Sequence, residues 1–478
     1  MVRDIMKIMQ TENGVLNMNK LTKLIREDMK PALGVTEPGA IAFAVASAKA
    51  HVQGEIKRVR VSLNSGMYKN AYTCGIPNST RFGNLYAAAL GAAAADAGRG
   101  LESLAEITPE DDERAARLAD GGAVEVVMDH IGSDITIDAE VETEEGCCTV
   151  RIRDSHTNIV SIEKNAIQIY EGADGQPDAK VDTEKTDADN IIDRYAEGED
   201  AAGGDIPLIH QYSLNDILEY VRDVPEEEID FIRDAFAMNM ELLEEGMASE
   251  RTVITKSLLK ENGGSVISSD ALRTAQLLCN GAIEARVLGL GRPAMSITGS
   301  GAHGIIATMP LLAWYKTEGC QGSRFGRQAE SRCNTADESV LLRAAALSFL
   351  ITMYIKEYSG RLSAFCGCGI AAGTGMACGL VLMRGADASA VGRVIQNMAS
   401  GLTGMICDGG NHGCAMKGIV AVDAAFRAAD LAMDGVCIGN IHGINGRTPE
   451  DTMRHMGMIA SPGMVETEKT IVEIMEQK

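Results

Sequence analysis

The sequence is poor in aromatic residues and in positive charge. Aromatic residues make up 4% of its 478 positions, and there is a single tryptophan. Lysine and arginine number 44 against 67 aspartate and glutamate residues, which gives a formal net charge of −23. A chain this acidic has no general affinity for nucleic-acid phosphates or for anionic lipid headgroups. We therefore expect the charge to serve solubility, and we expect neither a nucleic acid nor a membrane as a partner.

The sequence also lacks a long apolar run with which a chain could enter or cross a membrane. Residues 1–16 are interrupted by charged and polar side chains, so no signal peptide is expected. The most apolar segment, 340–355, contains Arg343 and is shorter than the roughly 20 residues that a membrane helix needs. This segment is predicted to be a buried helix, and the protein is predicted to be cytoplasmic.

Glycine and cysteine, in contrast, are plentiful, at 51 and 12 residues. Since no secretion signal is expected, disulfides are not expected either. The thiols are then buried hydrophobic groups, metal ligands or catalytic groups, and we expect most of them to be core residues. The many glycines predict tight turns and close approaches between backbone segments.

The order of patterns along the chain predicts an α+β fold with two domains. Residues 1–205 are predicted to form a mixed α/β domain that ends in an acidic linker, 171–205, where 12 acidic residues accompany 3 basic ones. Within this domain, residues 19–32 are predicted to be a helix, a second helix starts with Thr36 as its N-cap, and alternating apolar residues indicate strands. Residues 206–478 have helical periodicity interrupted by glycine-rich breaks, which predicts an all-α domain with Gly-rich loops.

The densest chemical signal is a set of cysteines in the last quarter of the chain. Cys366 and Cys368 form a C-x-C motif in a glycine-rich segment, and Cys407 and Cys414 lie seven positions apart in "CDGGNHGC". Thiolates bind soft metals, such as zinc or the iron of an iron–sulfur cluster. Three thiolates around a four-iron cluster would leave one iron open to act as a Lewis acid. The spacing alone leaves ordinary buried thiols, a cluster and a zinc site as alternatives, although it differs from that of a zinc ribbon.

A second glycine-rich segment, "SITGSGAHG", places Gly299, Gly301 and Gly304 in the spacing G-x-G-x-x-G. Its flanks are helical in pattern, which disfavours a dinucleotide-binding βαβ unit. A turn of this kind at a helix N-terminus can present free N–H groups to a carboxylate, so Ser300 and Gly301 are candidate substrate-binding residues. Close packing between helices is the alternative explanation for these glycines.

A third group of candidates is polar and lies in the N-terminal domain. Asn64, Lys69 and Asn70 follow a predicted strand, and Thr36 and Glu37 begin a predicted helix. We predict that Lys69 is catalytic and that the other four bind substrate, although isolated polar residues are usually solvated surface groups.

Two histidines, His303 and His412, lie on the glycine-rich segments. A histidine on a loop is better placed to carry a proton than one on an apolar helix face. We predict both as catalytic proton carriers.

Six segments, taken in order, resemble the L-cysteine desulfidase family, which is related to the α-chain of the iron–sulfur L-serine dehydratases. The resemblance extends over residues 21–478. The segments are "ALGVTEPGAIAFA", "NSGMYKNAYTCGIP", "ITGSGAHGIIATMP", "CGCGIAAGTGMACGL", "GMICDGGNHGCAMK" and "GINGRTPEDTMRHMGMIASPGM".

The resemblance implies an oxygen-sensitive [4Fe–4S] cluster with three cysteine ligands. Two of them correspond to Cys407 and Cys414, and the third lies in the C-x-C motif, with Cys368 preferred and Cys366 as the alternative. The implied reaction converts L-cysteine and water to pyruvate, ammonia and hydrogen sulfide. The open iron would bind the substrate sulfur, and a base would remove the α-proton.

The chain departs from the family pattern at several positions. Val35 stands where the family usually has a cysteine, Ala302 and His303 replace an Asn-Gln pair, and residues 410–413 differ within the cluster loop. The Pro-Gly pair of the second block is also changed, to Pro77-Asn78. The cluster thiols are kept while substrate-side residues change, which is typical of a subfamily with the same cofactor and a different substrate or base.

The leading prediction is therefore a cluster-dependent lyase acting on a small β-substituted amino acid, with L-cysteine as the default substrate. The nearest alternative is an iron–sulfur dehydratase of a serine-like hydroxy substrate, in which His412 would protonate the leaving hydroxyl. A non-catalytic cluster-binding homologue is a third alternative. A homodimer is left open as the oligomeric state.

Overall fold

The computed structural model describes residues 18–172, 206–319 and 338–478. Its N-terminal part combines a sheet with helices and its C-terminal part is helical, so the predicted α+β fold class is confirmed. Most of the predicted acidic linker, from residue 173 to residue 205, lies outside the described residues. The division of the chain at residue 205 stays a prediction.

The N-terminal part is built on a six-stranded mixed sheet, and two further strands, β1 and β8, form a separate pair. In chain order, the strands of the described residues are β1 (Lys30–Leu33), β2 (Ile56–Asn64), β3 (Val124–His130), β4 (Thr136–Thr143), β5 (Gly146–Arg153), β6 (Ile159–Lys164), β7 (Ile167–Glu171) and β8 (Pro293–Ser296). The large sheet has the order β3-β2-β4-β5-β6-β7, and β2 runs parallel to β3 and antiparallel to β4. Val59, Val61 and Leu63 of β2 are fully buried, because alternate residues of a strand face the same side.

Helices cover this sheet and form nearly all of the C-terminal part. In chain order, they are α1 (Lys20–Asp28), α2 (Thr36–Lys49), α3 (Ser65–Ala71), α4 (Asn84–Ala93), α5 (Pro109–Asp120), α6 (Leu214–Asp223), α7 (Glu226–Ile229), α8 (Arg233–Ala248), α9 (Ile254–Glu261), α10 (Ala271–Val287), α11 (Gly301–Trp314), α12 (Glu338–Ser359), α13 (Gly373–Met383), α14 (Ala388–Leu402), α15 (Gly413–Met433), α16 (Pro449–Ala460) and α17 (Val465–Glu476). Helices α2, α4 and α5 share one hydrophobic core with the sheet. A second core holds the C-terminal helices together.

The apolar segment 340–355 lies within α12, as predicted. Among the described residues, α12 is the helix that is long and apolar enough to cross a membrane by length and composition. Within its most apolar stretch, 78% is buried inside the protein. Helix α12 is therefore a core helix that packs against its neighbours.

Helix α1 and strand β1 pack with the C-terminal part, although they come first in the sequence. Leu21 and Ile25 of α1 are buried in the C-terminal core, and β1 pairs antiparallel with β8. The predicted helix 19–32 is wrong at its end, because α1 stops at Asp28 and residues 30–33 form β1. Proline at position 31 explains this end, since it lacks an N–H and disfavours helical backbone at the residue before it. The strand β8 is a four-residue exception to an otherwise helical C-terminal part.

Candidate functional site

The predicted site residues converge on one cavity between the N-terminal and C-terminal parts. Its volume is about 220 Å³. Seven of the residues predicted from the sequence line it: Thr36, Glu37, Asn70, Ser300, His303, Cys368 and Cys407. The further lining residues that carry a polar or ionisable side chain are Asp28, Lys30, Ser155, His156, Thr157, Ser296, Thr298, Lys356, Arg361 and Ser363.

Two loops of the helical part bring the cysteines together. The N–H of Cys366 donates to the carbonyl of Met405 at 3.0 Å, and the N–H of Cys407 donates to the carbonyl of Ala364 at 2.6 Å. This antiparallel bridge places the C-x-C loop beside the loop that follows α14. Cys368 begins a π-helical turn, Cys368–Ala372, that leads into α13.

The four thiols differ in their exposure. Cys366 is 3% exposed and does not line the cavity, whereas Cys368 and Cys407 are partly exposed and do. Cys414 lies in the first turn of α15, is partly exposed, and donates its thiol hydrogen to the carbonyl of Gly409 at 3.5 Å. Cys368 is therefore better placed than Cys366 to bind a group in the cavity.

The thiols interact electrostatically with one another and with nearby ammonium groups. A hydrogen bond from Cys368 lowers the pKa of Cys366 to about 7 and raises the pKa of Cys368. Burial raises the pKa of Cys407, while Lys69 and Lys417 oppose that rise. These ammonium groups favour the thiolate form, which is the form that binds a metal.

A further lysine, Lys356 of α12, lies near the thiols. Burial lowers the pKa of Lys356 to about 8, and the thiols of Cys368 and Cys407 oppose this shift. Lys417 of α15 pairs with Asp408 in the loop between Cys407 and Cys414. The helices beside the loops thus bring ammonium groups close to the thiols.

No three His, Cys, Asp or Glu side chains in the described part of the chain lie close enough together to hold a single metal ion. Cys368, Cys407 and Cys414 are sulfur donors on adjoining loops, which is the donor chemistry of iron–sulfur clusters and of zinc sites alike.

Val35 packs directly against the cysteine loop. A Cβ built on Gly410 would lie 2.8 Å from a methyl carbon of Val35, so the loop can pass only because residue 410 is glycine. The N–H of Gly410 donates to the carbonyl of Asn70 at 3.1 Å. Position 35 thus faces the segment between Cys407 and Cys414, and its isopropyl group supplies no proton carrier there.

Asn70 connects a cysteine to a buried carboxylate. Its side-chain amide donates to Glu37 Oε1 at 2.9 Å, and its oxygen accepts from the thiol of Cys407 at 3.9 Å. Thr36 does not cap its helix, since its hydroxyl donates instead to the carbonyl of Gly299 at 3.1 Å. The start of α2 is therefore fixed to the glycine-rich turn on the opposite wall of the cavity.

His303 is buried and held by an unusual threonine. Its Nδ1 lies 2.6 Å from the hydroxyl of Thr298, whose φ of +49° is in the left-handed region that β-branched residues rarely adopt. The N–H of Thr298 donates to the carboxylate of Asp28 at 2.6 Å. Burial, with Lys356 and Arg286 nearby, lowers the pKa of His303 to about 3, so its imidazole is neutral at physiological pH.

The other ring nitrogen of His303 faces the C-x-C loop. A Cβ built on Gly367 would lie 2.7 Å from Nε2 of His303. Glycine between the two cysteines is therefore required for the imidazole to approach the loop. The structure therefore places His303 beside the C-x-C loop, and its predicted role as a proton carrier stays a prediction.

Three predicted residues do not line the cavity and have other partners. His412 has a 42% exposed side chain, and its Nε2 lies 2.5 Å from the buried carboxylate of Glu284. Asn64 donates to the carbonyls of Gly132 and Asp134 at 2.9 and 2.6 Å, which ties β2 to the segment before β4. Lys69 is fully buried and forms an ion pair with Glu468.

Gly301 also lies outside the cavity lining. A Cβ built there would meet the Arg286 side chain at 2.7 Å, so this glycine allows close packing. Ser300 beside it does line the cavity. Among the described residues, the strand β8 before this turn pairs with β1 alone, and antiparallel, so these residues form no βαβ unit around the glycine motif.

All three donor positions of the Lys69 ammonium are occupied. It donates to the carbonyls of Ser363 and Cys407, both at 3.0 Å, and to Glu468 Oε2 at 2.6 Å. It therefore joins the C-x-C loop, the Cys407 loop and α17. These contacts hold the loops in place and leave no ammonium hydrogen directed at a substrate.

The comparisons with known proteins agree with this geometry. The family model described as the serine dehydratase alpha chain matches residues 99–473. The chain belongs to the serine dehydratase α-chain family. This assignment supports an iron–sulfur, dehydratase-like lyase, and it leaves the narrower resemblance to cysteine desulfidases as a hypothesis about the substrate.

Several similar proteins come from bacteria and align with nearly the whole chain. A UPF0597 protein of Clostridium botulinum (strain Okra / Type B1) is 38% identical over 457 residues, covering 96% of this chain and 98% of the relative. A UPF0597 protein of Caldanaerobacter subterraneus subsp. tengcongensis is 32% identical over 458 residues, with the same coverage. One from Clostridioides difficile (strain 630) is 31% identical over 455 residues, covering 95% and 98%.

This serine dehydratase α-chain family member has site residues that its sequence did not reveal, and the histidine His156 is one of them. His156 lies in the turn between β5 and β6, is 8% exposed, and lines the cavity. In the described part of the chain, no group forms a hydrogen bond with its Nε2. Burial lowers the pKa of His156, while Glu37 opposes this shift. The segment "DSHTN" indicates a turn, and only the packing of the two parts shows that its histidine lines the cavity.

Proposed function

We propose that this protein is a [4Fe–4S]-dependent lyase that eliminates the β-substituent of a small amino acid, with L-cysteine as the substrate. The products would be pyruvate, ammonia and hydrogen sulfide. The observation that carries the proposal is that Cys368 and Cys407, from two bridged loops, line the same small cavity as buried histidines and carboxylates. A volume of about 220 Å³ suits a small substrate.

Cys368, Cys407 and Cys414 would hold the cluster, and Cys366 would remain a buried thiol behind them. Partial exposure of the first three thiols and burial of the fourth support this choice. Lys69, Lys356 and Lys417 would offset the negative charge of the thiolates. When bound, the cluster would supply an open iron that acts as a Lewis acid on the leaving sulfur.

His156 would remove the α-proton of the substrate. Its Nε2 is unpartnered and buried, and the Glu37 carboxylate nearby favours the protonated imidazole that forms. The C–S bond then breaks, the sulfide leaves, and the resulting aminoacrylate is hydrolysed by water through an imine. His303, neutral and fixed by Thr298, would orient the substrate at the C-x-C loop.

Two further roles follow from these contacts. Lys69 is proposed as a positioning residue for the cysteine loops, in place of the catalytic role predicted from the sequence. His412 would contribute to stability through Glu284 and would take no part in proton transfer. A cytoplasmic location and a small amino-acid substrate are part of the same proposal.

A second candidate is a dehydratase that removes the hydroxyl of L-serine. The description of the matching family favours it. A hydroxyl is a poorer leaving group than a thiol and needs an acid beside it, and Lys356, which lines the cavity, could serve. The two candidates share a cofactor and differ in the leaving group.

The test is to reconstitute the full-length protein without oxygen, count iron and inorganic sulfide, and assay two substrates. We expect four irons per chain, sulfide release from L-cysteine and little pyruvate from L-serine. The opposite preference would establish the dehydratase, and iron without either activity would indicate a non-catalytic homologue.

The ligand assignment is tested in the same preparation. Cys368→Ser, Cys407→Ser and Cys414→Ser should each lose iron and turnover. Cys366→Ser should keep both, and Cys378→Ser is the control for loss of a fully buried core thiol. Full iron content in Cys407→Ser would refute the proposed site.

A further inference from the structure

The cavity lining carries two chemically different sets of groups. Cys368 and Cys407 are the thiols that would receive the leaving group. Asp28, at the end of α1, and Arg361, which follows α12, also line the cavity and carry opposite charges. These charged groups are available to the rest of the substrate.

One carboxylate oxygen of Asp28 accepts a hydrogen bond within the fold, and the other is available to a ligand. Asp28 is the last residue of α1, and Leu21 and Ile25 anchor this helix in the C-terminal core. One of its oxygens, Oδ2, accepts the N–H of Thr298 at 2.6 Å. Asp28 lines the cavity, and the other carboxylate oxygen can accept a hydrogen bond from a ligand there.

Arg361 brings a guanidinium to the same cavity. It lines the cavity and is exposed. Burial raises the pKa of Asp28, and the nearby guanidinium of Arg361 opposes that rise. A guanidinium binds a carboxylate through two parallel hydrogen bonds. An anion and a cation in one cavity match the two charges of an amino-acid head group.

We propose that Asp28 binds the α-ammonium of the substrate and Arg361 its α-carboxylate, so that this pair selects an α-amino acid. This inference rests on the proposed function for the reaction itself. It holds equally for L-cysteine and L-serine, because both carry the same head group. His156, the proposed base, lines the same cavity.

The test uses three probes that differ by one charged group. L-Cysteine has both groups, 3-mercaptopropionate lacks the ammonium, and cysteamine lacks the carboxylate. Binding to the full-length, anaerobically reconstituted protein is measured by calorimetry, separately from turnover. The variants are Asp28→Asn and Arg361→Gln.

Asp28→Asn should weaken L-cysteine and cysteamine about tenfold or more and leave 3-mercaptopropionate unchanged, because a hydrogen bond to a charged group is lost. Arg361→Gln should weaken L-cysteine and 3-mercaptopropionate and leave cysteamine unchanged. The asparagine keeps an oxygen for the N–H of Thr298, so the fold is preserved. Glu357→Gln is the control, since this exposed carboxylate interacts with Asp28 and does not line the cavity.

Equal weakening of all three probes by either variant would overturn the proposal. Failure of the wild-type protein to bind any of the probes would overturn it as well. Probe-selective effects without sulfide or pyruvate formation would support the head-group site and refute the proposed lyase activity. The two proposals can therefore fail separately.

Discussion

Lys69 Nζ lies 2.6 Å from Glu468 Oε2, and the two side chains are 0% and 5% exposed. This buried ion pair joins α3 of the N-terminal part to α17 near the end of the chain. Because the same ammonium also donates to the carbonyls of Ser363 and Cys407, the pair fixes both cysteine loops.

Lys69→Met should therefore destabilise the protein by about 3–5 kcal/mol, the usual effect of leaving one buried charge without its partner. Urea unfolding measures this free energy. Lys23→Met is the matched control, because Lys23 forms an exposed pair with Glu27, and it should cost less than about 1 kcal/mol. If Lys69→Met keeps the wild-type unfolding free energy and still loses turnover, the catalytic role predicted for Lys69 from the sequence is supported instead.

Gly367→Ala should reduce turnover while the protein stays folded. The new methyl group would sit 2.7 Å from His303 Nε2 and 3.0 Å from Lys356 Cδ, so the imidazole must move away from the thiols. Gly401→Ala in α14 is the control, since nothing lies within 4 Å of its added carbon. That control should keep full turnover and gain up to about 1 kcal/mol in unfolding free energy. Equal turnover in both variants would show that His303 has no role near the C-x-C loop.

We expect the hydroxyl of Thr298 to be needed for turnover, because it holds the imidazole of His303. Thr298→Val keeps the shape and removes the hydrogen-bond partner of His303 Nδ1, and we expect kcat to fall about fivefold to tenfold, the equivalent of one hydrogen bond. Thr298→Ser keeps the hydroxyl and should retain most of the wild-type kcat. NMR spectra of the imidazole nitrogens should shift in the valine variant alone. If valine and serine behave alike, the hydroxyl does not orient His303.

Glu284 should make stability depend on pH in the acid range. Burial favours its neutral form, but hydrogen bonds from Thr255, Ile254 and Val253 outweigh burial, and the pKa of Glu284 is lowered. Its stabilisation is therefore present above the unfolded pKa of about 4.3 and is lost as the pH falls through the lower folded value. Glu284→Gln should flatten the fall in unfolding free energy below about pH 4.3.

His412→Ala tests the contact between His412 and the buried carboxylate of Glu284. It should leave turnover within about twofold of wild type, because a half-exposed hydrogen bond contributes only about 0.5–1.5 kcal/mol to folding and the residue lies outside the cavity lining. A loss of turnover by two orders of magnitude would restore His412 as a proton carrier.

The strand and helix patterns of the sequence predict the fold class well, because burial follows the period of each element. Val59, Val61 and Leu63 alternate in sequence and are all buried in β2. The sequence does not predict strand β1, because this strand is stabilised by its pairing with β8, and the two strands lie far apart in sequence. The predicted first helix therefore extends too far, into residues that form β1.

The candidate site was predicted in part for a similar reason. The cysteines and glycines of the loops reveal their chemistry through spacing, but the direction of a side chain on a loop is set by tertiary packing. His303 and His412 both lie on glycine-rich segments, yet one faces the thiols and the other faces Glu284. His156 was missed because it reaches the cavity only when the sheet packs against the helices.

The dependence of the cysteine loops on Glu468 bears on the order in which the site assembles. Residues 363–414 are synthesised before position 468, and Lys69 meets its carboxylate partner only once α17 has packed behind the loops. We therefore expect the cysteine loops to become rigid late in folding, after α17 has docked.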